Sequence, residues 1–198
     1  MPTTVLTSQW GADTDSFDYF ADDGSDWAGV TEFEGDFFPL RTVNRFDVSS
    51  IPSGASISKV ELIVEVSATP NDVSARSWYI GPYNGDGQGD PETDGASTGF
   101  TRCDVSADNY GTTTAFRTTG VKTIDLGTAP ASDLIAAISA ASDFSVAIQM
   151  VGDTGISADS YSELAEYTDA TNPPKLQVTF GPSPGVLAYH RRFLMGVS

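Results

Sequence analysis

The sequence predicts an all-β protein, an antiparallel jelly-roll β-sandwich with one short helix and a C-terminal extension. Three observations favour this fold. Glycine (19) and proline (11) are abundant and separate short apolar runs, as turns separate strands. About eight of these runs alternate apolar with polar residues, which is the period of a strand with one buried face. The runs do not alternate with helical segments, which argues against a parallel sheet of βαβ units.

Residues 1–38 combine aromatic and acidic residues, as in "DSFDYFADDGSDW". Their alternation predicts short strands with one buried face, interrupted by a turn at Asp23-Gly24. We expect this segment to pack on the sandwich as part of one domain that covers residues 1–180. The chain length of 198 residues suits a single domain, because one hydrophobic core is well supported at that size.

The strongest predicted strand is "ISKVELIVEVSA", which follows the alternating run "LRTVNRFDV" and the turn sequence "SSIPSGAS". Strict alternation places one apolar set on one face, and we expect that set to face the core: Val60, Leu62, Val64 and Val66. Ser53-Gly54 is expected to form a tight turn between two antiparallel strands, because a Pro-Ser-Gly sequence favours turn geometry.

The remaining strands are predicted at "SARSWYIGPY", "VKTIDLG", "DFSVAIQMVG" and "KLQVTFG". The one predicted helix is "ASDLIAAISAAS". Its apolar stripe is Leu134, Ile135 and Ile138, and Ser132 or Asp133 is expected to cap its first turn. Residues 181–185, "GPSPG", have the composition of a linker, so the domain is expected to be complete before them.

The net charge of −17 is unevenly distributed along the chain. All 27 acidic residues lie in residues 1–180, whereas residues 181–198 contain none and hold Arg191 and Arg192. An acidic body repels phosphate backbones, so no nucleic-acid partner is expected. No stretch has the length and apolarity of a membrane span, and no signal peptide is visible, so we expect folding in a cytoplasm and no membrane partner.

The run "RTVNRFDVSSIPSGASISKVELIVEV" resembles the signature of the DNRLRE-type β-sandwich domains, which are related to carbohydrate-binding modules. The segments "TIDLGTAPASDLIAAI", "FSVAIQM" and "LQVTF" fit the same pattern, so the resemblance covers residues 41–180. The resemblance implies a jelly-roll sandwich of the kind found in bacterial surface proteins and phage structural proteins. Members of this family bind ligands or form structural assemblies. Residues 1–38 depart from the family pattern.

No residue is predicted to be catalytic. The only histidine, His190, lies beyond the linker, where a base would be poorly held. Cys103 is the only cysteine and has no histidine within the domain to activate it, so a buried structural role is the better interpretation. The sequence contains no phosphate-binding glycine motif and no His/Cys metal cluster. We therefore expect a non-enzyme.

The glycine-rich loop 81–95 has the strongest claim to a binding site. An oxygen donor occupies every second position of its centre: Asn84, Asp86, Gln88, Asp90, Glu92 and Asp94. Calcium takes about 6–8 oxygen ligands, so the loop could hold one structural calcium ion. However, Gly95 stands where an EF-hand loop has its bidentate glutamate. A solvated acidic loop is the alternative that we favour.

Aromatic residues offer a second kind of site, because sugar rings stack on exposed aromatic faces in lectin-like modules. Most of the aromatic residues are expected to fill the core and its edges, as for Trp78 within a predicted strand. Tyr83 follows Pro82 in the loop and is the best candidate for an exposed glycan contact.

Residues 186–198 are interpreted as a docking tail. Left free in water, their apolar side chains would favour aggregation or proteolysis. We expect docking on the domain of the same chain or, as we favour, on a neighbouring subunit. The residues expected to dock are Val186, Leu187, Tyr189, Arg191, Arg192, Phe193, Leu194 and Met195. A disordered tail is the alternative.

Two functions fit these observations. The first is a structural component of a phage virion, assembled in the host cytoplasm: a capsid decoration, fibre or tail-associated protein that binds other virion proteins or copies of itself. The second is a carbohydrate-binding or adhesion module for cell-surface glycans, stabilised by calcium. The basic, apolar tail beyond an acidic domain favours the first.

Overall fold

The computed structural model describes residues 1–14, 19–20, 26–33, 36–69, 73, 75–94, 96–153 and 160–182. Eleven strands lie within these residues. They are β1 (Thr3–Thr14), β2 (Tyr19–Phe20), β3 (Asp26–Phe33), β4 (Asp36–Phe46), β5 (Ser56–Ala68), β6 (Trp78–Pro82), β7 (Gly111–Thr113), β8 (Gly120–Gly127), β9 (Phe144–Met150), β10 (Ser160–Leu164) and β11 (Lys175–Gly181). The helices are α1 (Ala96–Arg102) and α2 (Ala131–Ala140), with 3₁₀ turns at Tyr83–Gly85, Pro91–Thr93 and Ala115–Arg117.

The strands form two antiparallel layers that share β1 and β4. In the first layer β5 pairs with β8 on one side and with β11 and β10 on the other; β11 continues to β1, and β10 continues to β3 and β4. The second layer has the order β2-β1-β4-β9-β6-β7. Strand β1 changes layer at a bulge between Ser8 and Trp10, and β4 changes layer after Leu40. The predicted all-β antiparallel sandwich is confirmed.

Residues 1–38 contribute β1, β2, β3 and the beginning of β4 to these layers. In β3 the buried face is formed by Ala28 and Val30, both fully buried, whereas the aromatic Trp27 lies on the opposite face. The turn that the sequence predicts at Asp23-Gly24 lies outside the described residues.

The core lies between the two layers and confirms the predicted facing of β5. Its apolar set is at most 1% exposed: Val60, Leu62, Val64 and Val66. From the second layer, Trp78 packs into the same cluster, and its indole N–H donates a 3.0 Å hydrogen bond to the carbonyl of Ala28 in the first layer. This bond ties the two layers together inside an apolar interior, where an unpaired indole N–H would be costly.

The tight turn at Ser53-Gly54 is present, since the amide of Ala55 donates to the carbonyl of Pro52 at 3.0 Å. The two strands that it separates do not pair with each other, however, because β4 ends in the second layer and β5 begins in the first. The connection therefore crosses the end of the sandwich, and its apolar residues Val48 and Ile51 are buried there.

Helix α2 forms where the sequence predicts it, but its cap and its buried face differ. Pro130 occupies the cap position, and no side chain caps the helix there. Asp133 instead accepts a 2.8 Å hydrogen bond from the Tyr110 hydroxyl. Leu134 and Ala137 are fully buried, whereas Ile135 is 39% exposed, so the predicted stripe is wrong at Ile135. On a helix, side chains three or four residues apart lie on the same face. Ala137 is three residues after Leu134 and therefore shares its buried face.

Strand β9 is buried along its whole length. Its inward residues pack in the core, and the opposite face is covered by residues 83–105, which we call the covering segment. A second apolar cluster forms beneath this segment: Val43, Tyr83, Cys103, Val105 and Ala147. The covering segment includes α1, which the sequence did not predict. Among the described residues, no helix is long and apolar enough to cross a membrane.

Candidate functional site

The covering segment contains the residues that the sequence predicts for calcium and glycan binding. The side chain of its first residue, Tyr83, points inward. Tyr83 is fully buried, and its hydroxyl donates to the carboxylate of Asp94. The ring packs with Cys103 and Val105 against the second layer. The prediction of Tyr83 as an exposed glycan contact is therefore wrong, because the turn after β6 directs this ring under the segment.

Close backbone packing holds the covering segment against β9. The amide of Ser145 in β9 donates a 2.7 Å hydrogen bond to the carbonyl of Gly87. A Cβ atom on Gly87 would lie 2.3 Å from the Phe144 ring, and the residue has a φ of 71°. Only glycine satisfies both constraints at this position. Gly87 thus allows the loop to dock closely on the sheet.

Three acidic residues of the segment pair with arginines on β4 and α1: Asp90, Glu92 and Asp94. Asp90 and Glu92 both contact the Arg45 guanidinium, with 3.0 Å between Arg45 Nη2 and Glu92 Oε2. Asp94 accepts from Arg102 at 2.6 and 2.7 Å, in addition to the Tyr83 hydroxyl. These pairs bind the segment to β4 and to its own helix α1.

The calcium hypothesis needs several of these oxygen atoms to converge on one ion. The Asp86 carboxylate accepts from the amide of Gln88 at 2.8 Å and closes a local turn. Asp90, Glu92 and Asp94 point to two different arginines. Within the described part of the chain, no group of three or more His, Cys, Asp or Glu residues is arranged to hold a metal. Calcium binding by Asn84–Asp94 stays a prediction, and it would require rearrangement of the arginine pairs.

A buried ion pair lies beneath the segment. Arg41 and Asp153 are each 3% exposed and are joined by bonds of 2.8 Å from Nε and 3.4 Å from Nη2. The same guanidinium lies 4.0 Å from the Phe100 ring centre and donates to the Phe100 carbonyl at 3.0 Å. Gln149 donates to both Asp153 oxygens at 3.3 Å and accepts from the amide of Val105. This network fixes the C-terminal end of α1 and the residues that follow it to the outer face of the second layer.

Cys103 lies in the apolar cluster beside this network and is fully buried. Burial raises the pKa of its thiol to about 12, and the nearby Arg41 charge offsets this only in part. A nucleophilic cysteine requires the opposite, an accessible thiolate with a lowered pKa. The environment of Cys103 therefore suits packing.

A small pocket of about 250 Å³ opens at the end of the sandwich. It lies between the connection that crosses from β4 to β5 and the end of α2. Its lining residues are Asp47, Val48, Ser49, Ile51, Ser53, Ile138, Ala141, Ser142 and Asp143. Hydrogen bonds from the Ser49 hydroxyl and amide hold the pKa of the Asp47 carboxyl below its usual value. We call this feature the end pocket.

One pair of aromatic rings stacks on the face of the first layer opposite the core. Trp27 and Tyr161 lie on the neighbouring strands β3 and β10, with ring centres 4.8 Å apart and planes inclined by 15°. Gly29, two residues after Trp27 in β3, is the direct cross-strand partner of Tyr161, and a Cβ atom on it would approach the Tyr161 Cβ to 2.6 Å. Both rings are half-buried.

The last described strand, β11, runs between β1 and β5 in the first layer. Its final residue, Gly181, is in register with Ser56, the first residue of β5. The amide of Phe180 also donates to the carbonyl of Pro2 at 3.1 Å. The docking residues that the sequence predicts, Val186 to Met195, lie outside the described residues, and so does most of the linker.

Sequence reasoning missed the arginines that organise the covering segment. Arg41 and Arg45 occupy alternate positions of "RTVNR" in β4, so both lie on one face, which a local pattern can reveal. Their acidic partners are 45 or more residues away along the chain.

The sequence matches no model of a known protein family, and a search of curated proteins also finds no match.

Proposed function

We propose that this chain is a non-enzymatic structural component of a phage virion, a capsid decoration, fibre or tail-associated protein that is attached through residues 186–195. The observation that carries the proposal is the position of β11. Because this strand lies in the interior of the first layer and ends at Gly181, the described sandwich is complete before the tail begins. We therefore assign the apolar and basic side chains of the tail to contacts with a partner.

Further support comes from the character of the domain. Cys103 is fully buried in an apolar cluster, and this burial raises the pKa of its thiol to about 12, which suits packing and not nucleophilic chemistry. The covering segment is fixed by ion pairs at Arg41, Arg45 and Arg102. A rigid sandwich with an adhesive tail suits assembly with other virion proteins or with copies of itself.

Truncation tests the proposal. Deletion of residues 182–198 should leave the domain folded, as measured by circular dichroism, and should abolish its co-sedimentation with particles of the phage that encodes it. If the protein assembles with itself, light scattering should show the corresponding loss of mass. Full association of the truncated chain would refute attachment through the tail.

A matched variant separates charge from apolar contact. Replacing Arg191 and Arg192 by glutamine keeps the apolar anchors and should weaken attachment most at low salt, because salt screens exposed ion pairs. Equal binding by this variant at all salt concentrations would assign attachment to the apolar residues alone and would contradict the role proposed for the arginines.

A second candidate function, glycan binding for adhesion, is favoured by the Trp27–Tyr161 ring pair. Stacked rings on an outer sheet face offer an aromatic surface to a sugar ring. Trp27→Ala should abolish retardation in affinity electrophoresis through gels that contain host cell-wall polysaccharide. Unchanged retardation of the variant, or none for the parent protein, would reject this candidate.

A further inference from the structure

The end pocket combines an apolar floor with an acidic rim. Buried Val48 and Ile51 contribute the floor together with the half-buried Ile138. Two acidic residues, Asp47 and Asp143, also line the pocket, together with three serines: Ser49, Ser53 and Ser142. This lining suits a side chain with an apolar stem and a cationic head, which is the shape of arginine.

The electrostatic environment favours a cation there. Helix α2 ends beside the pocket, and a helix C-terminus carries partial negative charge. No basic residue lies in the last turn of α2. Asp143 is 3.5 Å from Arg45, but Asp90 and Glu92 share the same guanidinium. One arginine is therefore the counter-charge for three acids: Asp90, Glu92 and Asp143. Asp47, which also lines the pocket, is a fourth acid.

An apolar surface continues from the pocket along α2. Ile135 is 39% exposed and stands one turn before Ile138, which lines the pocket. Residues three positions apart on a helix are neighbours on its surface. A bound segment could thus place one side chain in the pocket and its apolar neighbours on Ile135.

The chain itself supplies a segment of this chemistry within reach. Gly181 pairs with Ser56, which is three residues after the pocket residue Ser53, so the tail leaves within about 16 Å of the pocket rim. The linker from Gly181 to Val186 can span about 16 Å when extended. A short tether of this kind gives an effective concentration in the millimolar range, which favours binding within one chain.

We propose that, in the unassembled protein, residues 186–195 fold back onto the end pocket of their own chain, with the guanidinium group of Arg191 or Arg192 facing Asp47 and Asp143. The contact shields the apolar tail from water until a partner displaces it. This inference goes beyond the function proposed above, because it concerns the free chain and holds whatever the tail binds in a particle.

Limited proteolysis of the full-length chain tests the contact. Trypsin cleaves after Arg191 and Arg192 and releases the end of the tail, which mass spectrometry detects. The double variant Asp47→Asn, Asp143→Asn should be cleaved about tenfold faster, since cleavage follows the undocked fraction when opening is rapid. Asparagine still accepts the Ser49 amide, so the local turn is retained.

Two controls and a second test variant make the result specific. Asp108→Asn with Asp125→Asn removes the same charge from exposed positions elsewhere and should leave the cleavage rate unchanged. Ile135→Ser should accelerate cleavage without changing the charge. Melting temperature and circular dichroism verify that each variant is folded.

Each outcome decides the inference. Equal cleavage rates for the parent and the Asp47/Asp143 variant would overturn it, and so would protection that increases with protein concentration, which would place the tail on a second copy. The variant should still co-sediment with particles. If truncation abolishes co-sedimentation while the cleavage rates are equal, the fold-back contact is wrong and attachment through the tail stands.

Discussion

Asp153→Asn should destabilise the protein more than any other single loss of an acidic charge around the covering segment. The substitution keeps the size of the side chain but leaves the Arg41 guanidinium, 3% exposed, without its closest counter-charge. Gln149 donates to both Asp153 oxygens in the parent protein. The NH2 group of the new asparagine cannot accept a hydrogen bond, so one of these two bonds is lost. Among the described residues, Arg41 also pairs with Asp104, which is 3.7 Å away and 47% exposed.

The expected magnitude follows from the burial of the pair. Removing one partner of a buried ion pair costs about 3–5 kcal/mol, because the other charge stays in a medium of low polarity. Asp104 compensates in part, so we expect a loss near the lower limit, about 3 kcal/mol. For a chain of this size, this loss corresponds to a decrease in melting temperature of about 6–12 °C.

Urea unfolding monitored by tryptophan fluorescence and circular dichroism measures the loss. Asp104→Asn is the matched control, since it removes a charge from the same arginine at a solvent-exposed position and should cost less than about 1 kcal/mol. The double variant Arg41→Met, Asp153→Leu should recover most of the stability, because neither charge of this buried pair then remains.

Comparable losses for Asp153→Asn and Asp104→Asn would refute this reasoning, since they would show that the Arg41 pair is solvated. A large effect of salt on the parent stability that disappears in Asp153→Asn would lead to the same conclusion, because salt screens exposed pairs far more than buried ones.

Three further predictions follow from the described residues. Val64→Asp should unfold the domain, because Val64 is 1% exposed in the apolar core, and a variant that melts like the parent would contradict the facing of β5. Calcium at micromolar concentration should leave the melting temperature unchanged, because Arg45 and Arg102 engage the loop acids; an increase that is lost in Asp86→Ala, Asp90→Ala would show instead that the loop binds calcium. Burial raises the pKa of Cys103 to about 12, so the unfolded chain loses this proton at lower pH than the folded chain. The associated stability is complete below about pH 8.5 and decreases as the pH rises towards the folded pKa. Cys103→Ala should therefore flatten the alkaline decrease in urea stability, and an equal slope in both proteins would show that the thiol is accessible.

Local periodicity made part of the fold predictable. In β5 the alternation from Val60 to Val66 determines which residues share a face, and the burial of an entire apolar set follows from that geometry. The sequence of α2 likewise predicts a helix. It does not determine which part of the helix surface is buried, because Ala137 is buried and Ile135 is exposed once α2 packs against β5 and β9.

The candidate site was less predictable because its contacts are distant in sequence. The loop composition around Tyr83 is typical of an exposed acidic loop, yet this tyrosine is buried beneath the covering segment. Arg45 lies on β4, and its partners Asp90 and Glu92 follow β6, so the pairs exist only after the layers have formed. Helix α1 has no apolar periodicity of its own and depends on tertiary contacts such as that between Phe100 and Arg41.

The sequence by itself determined the class of fold, the inward face of β5, the presence of α2 and the contrast between an acidic domain and a basic, apolar tail. These properties depend on residue type and on spacings of two to four residues, which the backbone geometry converts directly into faces. Only the tertiary structure decided that the acidic loop is bound by arginines, that Arg41 and Asp153 form a buried pair, and that β11 completes the sandwich at Gly181 beside the end pocket. Pairings between distant strands set these features, because register and layer crossing bring together side chains whose separation along the chain carries no local signal.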